Sequence, residues 1–75
     1  MGIEARFVYF VMDSVKDANN EYIALCAFEG QSGYHQTDWH WGTDYAKARQ
    51  CAEALNARRG IAQKDADKII AGTMR

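Results

Sequence analysis

Side chains able to do chemistry are densest in the segment Tyr34-His35-Gln36-Thr37-Asp38-Trp39-His40-Trp41, which holds both histidines and both tryptophans of the 75-residue chain. A metal site needs ligands that converge on one point. In an extended strand side chains alternate between faces, so His35 and His40, five positions apart, diverge, while Asp38 and His40 share a side. That gives two ligands locally, with Cys26 or Glu29 as recruits from a neighbouring strand, where a structural zinc site takes four. Cys26 and Cys51 form no Cys-x-x-Cys pair, and neither adjoins a helix N-terminus or basic cluster that would favour a thiolate. Both read as buried free thiols. An Asp38 and His40 acid–base pair is equally well explained as the polar face of an edge strand. Gly30 and Gly33 flank a short turn followed by a strand, so the context of a phosphate-binding loop is absent. The residues predict no metal, no cofactor and no enzyme.

Trp39 and Trp41 fall on one side of the same segment, with His35 and Thr37. Aromatic side chains on a sheet can stack single-stranded bases, and Arg6, Lys47, Arg49, Arg58 and Arg59 could meet phosphates. The formal net charge is −1 and the longest basic run is Arg58-Arg59, too little for binding driven by charge. Bulky indoles set against alanine-rich helices are instead a natural core. Nucleic-acid binding through the basic residues of the first helix remains the second reading.

The elements that must position these residues follow from pattern. Residues 4–13 are rich in aromatic and β-branched side chains and predict a strand; the polar run 16–20 is a turn; residues 21–29 return as a second strand. Gly30-Gln31-Ser32-Gly33 makes another turn, and residues 34–41 alternate with a period of two. From Tyr45 the period becomes helical, with Ala48, Ala52 and Leu55 on one stripe, Thr43 or Asp44 as N-cap and Gly60 as stop. A second helix spans about 63–73, with Ile61 and Ala66 spaced as a hydrophobic staple and Ala66, Ile69, Ile70 and Thr73 as its buried stripe. The expected fold is α+β: a three-stranded antiparallel meander followed by two helices packed on one face, βββαα, in a single domain over residues 1–75. No stretch is long and apolar enough to span a bilayer or to serve as a signal peptide. Gly2 lacks the Ser or Thr that myristoylation requires, since position 6 is Arg. The expected location is the cytoplasm.

Apolar bulk is unevenly shared. Of 22 bulky apolar residues, 16 precede Gly42, and the later part carries eight of the twelve alanines. The first two strands are apolar on both faces, and two small helices can cover only one. We expect Val8, Phe10, Met12, Ile23, Leu25, Trp39 and Trp41 to face the helices. Tyr9, Tyr22 and Tyr34 then share the open face with Phe7 and Phe28, with Asp38, His40, Arg58 and Arg59 at the rim. A tyrosine-rich exposed patch of this kind marks a surface covered by another chain. The partner is a second copy, giving a homodimer, or a foreign protein.

The stretch 41–74 adds a resemblance. Its segments Trp41-Gly42-Thr43-Asp44, Ala54-Leu55-Asn56-Ala57-Arg58-Arg59-Gly60-Ile61 and Ala66-Asp67-Lys68-Ile69-Ile70-Ala71-Gly72-Thr73-Met74 resemble the C-terminal half of small uncharacterised proteins of bacteriophages and prophages. The matches are helix boundaries and core positions, which mark a fold and carry no catalytic residue. The resemblance implies a mobile-element origin. Small proteins of that kind commonly inhibit a host protein or defence complex by occupying its surface, anti-CRISPR proteins being the best known.

Overall fold

The computed structural model of the protein describes residues 6–74. Three strands, β1 (Phe7–Phe10), β2 (Ile23–Phe28) and β3 (His35–His40), precede two helices, α1 (Tyr45–Arg58) and α2 (Gln63–Thr73). The sheet order is β1-β2-β3, with both neighbouring pairs antiparallel. This is the expected α+β, βββαα arrangement. The strands are shorter than their apolar runs: β1 ends at Phe10, and the chain next pairs only through an isolated Lys16 and Tyr22 bridge. Residues 4 and 5, the predicted start of the first strand, lie outside the described residues.

Helix boundaries follow local chemistry. The Asp44 carboxylate accepts from the Lys47 N–H at 3.2 Å, satisfying one free donor of the first turn of α1. At the other end Gly60 adopts φ +83°, a left-handed conformation that costs glycine nothing. There the Gly60 N–H donates to Ala57 C=O and the Ile61 N–H to Asn56 C=O, both at 3.0 Å, the paired bonds of a Schellman stop. Ala62 offers α2 no side-chain cap, so the helix depends on packing. Its C-terminal turn is tied to the β2–β3 turn, where the Gly33 N–H donates to Thr73 C=O at 3.0 Å.

The main core lies between one face of the sheet and α2. Val8, Phe10, Leu25 and Ala27 pack against Ile61, Ala66 and Ile69, with Met12, Ile23, Tyr34 and Ile70 half-buried at its margin. Leu25 and Val8 are fully buried, each contributing about 1.5–3 kcal/mol of transfer free energy. Val8, Phe10, Met12, Ile23 and Leu25 thus face the helix side as expected.

α1 lies against β1 rather than reaching across the sheet. Its buried residues Ala48, Ala52 and Asn56 recur every fourth position, so they form one narrow stripe of mostly small side chains that brings the helix close. Ala48 joins a second cluster with Val11 and Tyr22, onto which Trp41 packs. The Glu29 N–H donates to Arg6 C=O at 2.8 Å; in an antiparallel ladder the backbone groups of Phe7 and Tyr9 therefore point outward, away from β2. α1 meets them with side chains. Asn56 accepts from the Tyr9 N–H at 2.9 Å and donates to Tyr9 C=O at 2.8 Å, and Arg59 donates to Phe7 C=O at 2.8 Å.

Candidate functional site

The second face of the sheet carries a continuous strip of rings. Phe7 meets Phe28 at 5.5 Å and Tyr9 at 5.6 Å between centroids. Tyr9 in turn meets Trp39 at 6.1 Å and Trp41 at 6.4 Å, and the two indoles lie 5.1 Å apart. His35 extends the strip at the far end, edge-on to Phe28 at 5.3 Å. Tilted and edge-to-face pairs of this kind are each worth about 0.5–1.5 kcal/mol beyond area burial. Small residues make room for it: Ala24 and Cys26 of the central strand are buried on the face where Cys26 stands opposite Tyr9. Burial raises the Cys26 thiol above its ordinary range, the positive charge of Arg59 opposing the shift.

Arg59 leans on the strip from the end of α1. Its guanidinium sits 3.8 Å from the Phe7 ring centroid and 5.7 Å from that of Tyr9, within cation–π range of both. With its bond to Phe7 C=O the cation is held in place rather than swinging in solvent.

β3 presents the tryptophans, and its geometry explains which way they point. Its pairing with β2 shifts register between Ile23 and Leu25. At the shift the Thr37 hydroxyl donates to Ala24 C=O at 2.8 Å and accepts from the Trp39 N–H at 3.1 Å. The shift adds an even number of residues on β3 and so keeps the alternation: with His35 opposite Cys26, Thr37, Trp39 and Trp41 all point to the ring side. Trp39 is left 48% exposed, and β3 has no buried residue.

No protein-family model, curated protein or solved structure matches this chain. The reading of the site therefore rests on its own geometry.

Several expected placements are corrected by it. Trp39 and Trp41 do not face the helices with Leu25; they stand on the opposite side with Tyr9. Tyr22 is not on the open face but 7% exposed, within the second cluster, with the Tyr45 ring 5.3 Å away. Tyr34 turns to the helix side, edge-on to Phe10 at 5.9 Å, because the residue preceding His35 falls opposite Ala27 in the register of β2 and β3. Cys51 is exposed on α1 rather than buried. Tyr9, Phe28 and Phe7 do lie on the open face. Of the rim residues, Arg59 touches the strip, Arg58 is exposed in the last turn of α1, and Asp38 is exposed on β3.

His40 belongs elsewhere. Its Nδ1 pairs with Asp17 Oδ2 at 2.5 Å, at the base of the β1–β2 loop and not beside Asp38 in a shared role. The Asp17 carboxylate lies below its ordinary pKa because it accepts from the Glu21 N–H, and secondarily from the Asn19 N–H and His40. Sequence spacing gave no warning of this meeting, since 23 positions separate the partners. The placement of the tryptophans had one signal: small Ala24 and Cys26 at the centre of a face leave space that large rings from both flanking strands can fill.

Proposed function

We propose that the protein is a non-enzymatic protein–protein interaction module that docks through the ring strip of Phe7, Tyr9, Phe28, Trp39 and Trp41, with Arg59 at its edge. The observation that carries this is Trp39, half exposed within a contiguous aromatic surface and touching both Tyr9 and Trp41. Trp, Tyr and Arg are the residues that concentrate binding energy at protein interfaces, and an aromatic patch facing water is costly unless covered. The likeness of residues 41–74 to phage-type proteins makes a host protein the first partner to seek, with inhibition by occlusion as the mechanism, anti-CRISPR action being one form. A second copy of the chain is another occupant of matching chemistry.

The test compares wild type with Trp39→Ala and Tyr9→Ala as immobilised baits against a bacterial host lysate, at low and high salt. A specific partner retained by wild type, lost by both variants and little affected by salt supports the reading. Equal capture by all three overturns it. Sedimentation velocity of wild type and Trp39→Ala reports whether the occupant is a second copy.

A nucleic-acid reading has one observation in its favour, the Arg59 guanidinium placed over the Phe7 and Tyr9 rings, a cation beside aromatic faces that also suits bases and phosphate. Arg49, by contrast, is paired with Glu53 at 3.3 Å. Binding of single-stranded oligonucleotide that weakens steeply with salt would favour this second reading.

A further inference from the structure

Three side chains from two segments, the β1–β2 loop and β3, converge at the end of the sheet away from the ring strip's Phe28. Asp17 and Glu21 stand at the two sides of the β1–β2 loop, where the Asp17 N–H donates to Glu21 C=O at 2.9 Å. His40 ends β3 opposite Ile23, which brings its imidazole over the loop. Each of the three offers a ligand atom within 4.8 Å of the other two. Among the described residues neither carboxylate has a Lys or Arg ion-pair partner, and the nearby Lys16 ammonium lies over the Tyr22 ring at 5.0 Å instead. Two carboxylates thus face one imidazole with a deficit of positive charge.

We propose that Asp17, Glu21 and His40 form a binding site for a divalent transition-metal ion of the zinc type. The donor set decides the class. Two carboxylates alone would suit Ca²⁺ or Mg²⁺, whereas an imidazole nitrogen beside them favours zinc and its neighbours. His40 Nδ1 and one oxygen from each carboxylate supply three ligands, and water completes a tetrahedral shell. Ligand atoms about 2.0–2.2 Å from zinc stand about 3.4 Å apart, so the His40 and Asp17 pair opens by about 1 Å. The side chains have room for that, being 35% and 17% exposed. Asp17 Oδ1 is already occupied by two backbone N–H groups, from Asn19 and Glu21, which leaves Oδ2 as the coordinating atom. The ion would fasten the β1–β2 loop to the end of β3, independently of what covers the rings.

Isothermal titration of Zn²⁺ into the full, untagged chain tests this, with Co²⁺ absorption as a geometric report. One ion per chain, an absorption band of tetrahedral Co²⁺, and affinity reduced at least about tenfold in both His40→Ala and Asp17→Asn are expected, with His35→Ala and Cys51→Ala unchanged. Should His40→Ala prove unfolded by circular dichroism, Glu21→Gln takes its place. The site is refuted by the lack of saturable 1:1 binding. Binding that survives both ligand substitutions, or Ca²⁺ and Mg²⁺ affinities equal to that for Zn²⁺, refutes it as well.

Discussion

Asn56 hydrogen-bonds both backbone groups of Tyr9, accepting from its N–H at 2.9 Å and donating to its C=O at 2.8 Å. A helix side chain thereby stands where the backbone of another strand would, and it does so from a position only 2% exposed.

Asn56→Ala removes both bonds and leaves two backbone groups of β1 without a protein partner. Each unsatisfied buried group costs about 1–3 kcal/mol, so urea denaturation is expected to show a loss of about 2–4 kcal/mol. Asn56→Asp keeps the acceptor but sets a carboxylate against the Tyr9 carbonyl, and should be no more stable than Asn56→Ala.

Truncations on the two faces should separate cleanly. Leu25→Ala, with the side chain wholly buried, is expected to cost about 2–5 kcal/mol, and Tyr22→Ala about 3 kcal/mol. Trp39→Ala should cost about 1–2 kcal/mol, since it gives up two ring pairs while its ring faces water on one side, and should weaken partner binding at least about tenfold. A Trp39→Ala stability loss equal to that of Leu25→Ala, in the same denaturation experiment, would place Trp39 in the core.

The two thiols should react at very different rates. Cys51 is exposed and Cys26 buried, with burial also pushing the Cys26 thiol up. A disulfide reagent at pH 8 should modify one thiol per chain quickly in the native state, and the second only as the chain unfolds. Cys51→Ser removes the fast phase and leaves the slow one.

Acid should act through Asp17 and Glu29. Both carboxylates are lowered in the folded state, Asp17 first by the Glu21 N–H and Glu29 first by the Arg6 guanidinium. A lowered folded pKa means the stabilisation is complete above the ordinary value of about 4 and is lost as pH falls through the folded value. The urea midpoint should therefore be flat in this respect from pH 6 to 5 and decline below about pH 4. Asp17→Asn keeps an oxygen to accept the loop N–H groups and should show a shallower decline.

The order and type of every element could be read from the chain because each has a local cause: β-branched and aromatic runs, glycine turns, an aspartate cap and a glycine stop. The helix-side assignment of Val8, Phe10 and Leu25 follows from the same alternation. Trp39, Trp41 and Tyr34 escaped because their sides are set by His35 standing opposite Cys26, a pairing between distant segments that no single-strand period encodes, and Tyr22 because its burial comes from elsewhere in the chain. Tyr22 further depends on α1 lying along β1, a consequence of Asn56 finding the Tyr9 backbone 47 positions away. The Asp17 and His40 meeting is a tertiary product of the same kind.

The two margins of the sheet are not equivalent. Asn56 and Arg59 plug the outer side of β1, while β3 carries only exposed or half-buried residues and, among the described residues, packs chiefly on β2. Fibrous growth by strand stacking needs two open margins on every copy, one to receive and one to offer. This chain has one. The plug on β1 therefore makes the sheet one-sided: a further strand added to it would find free backbone groups beside β3 and occupied ones beside Phe7 and Tyr9.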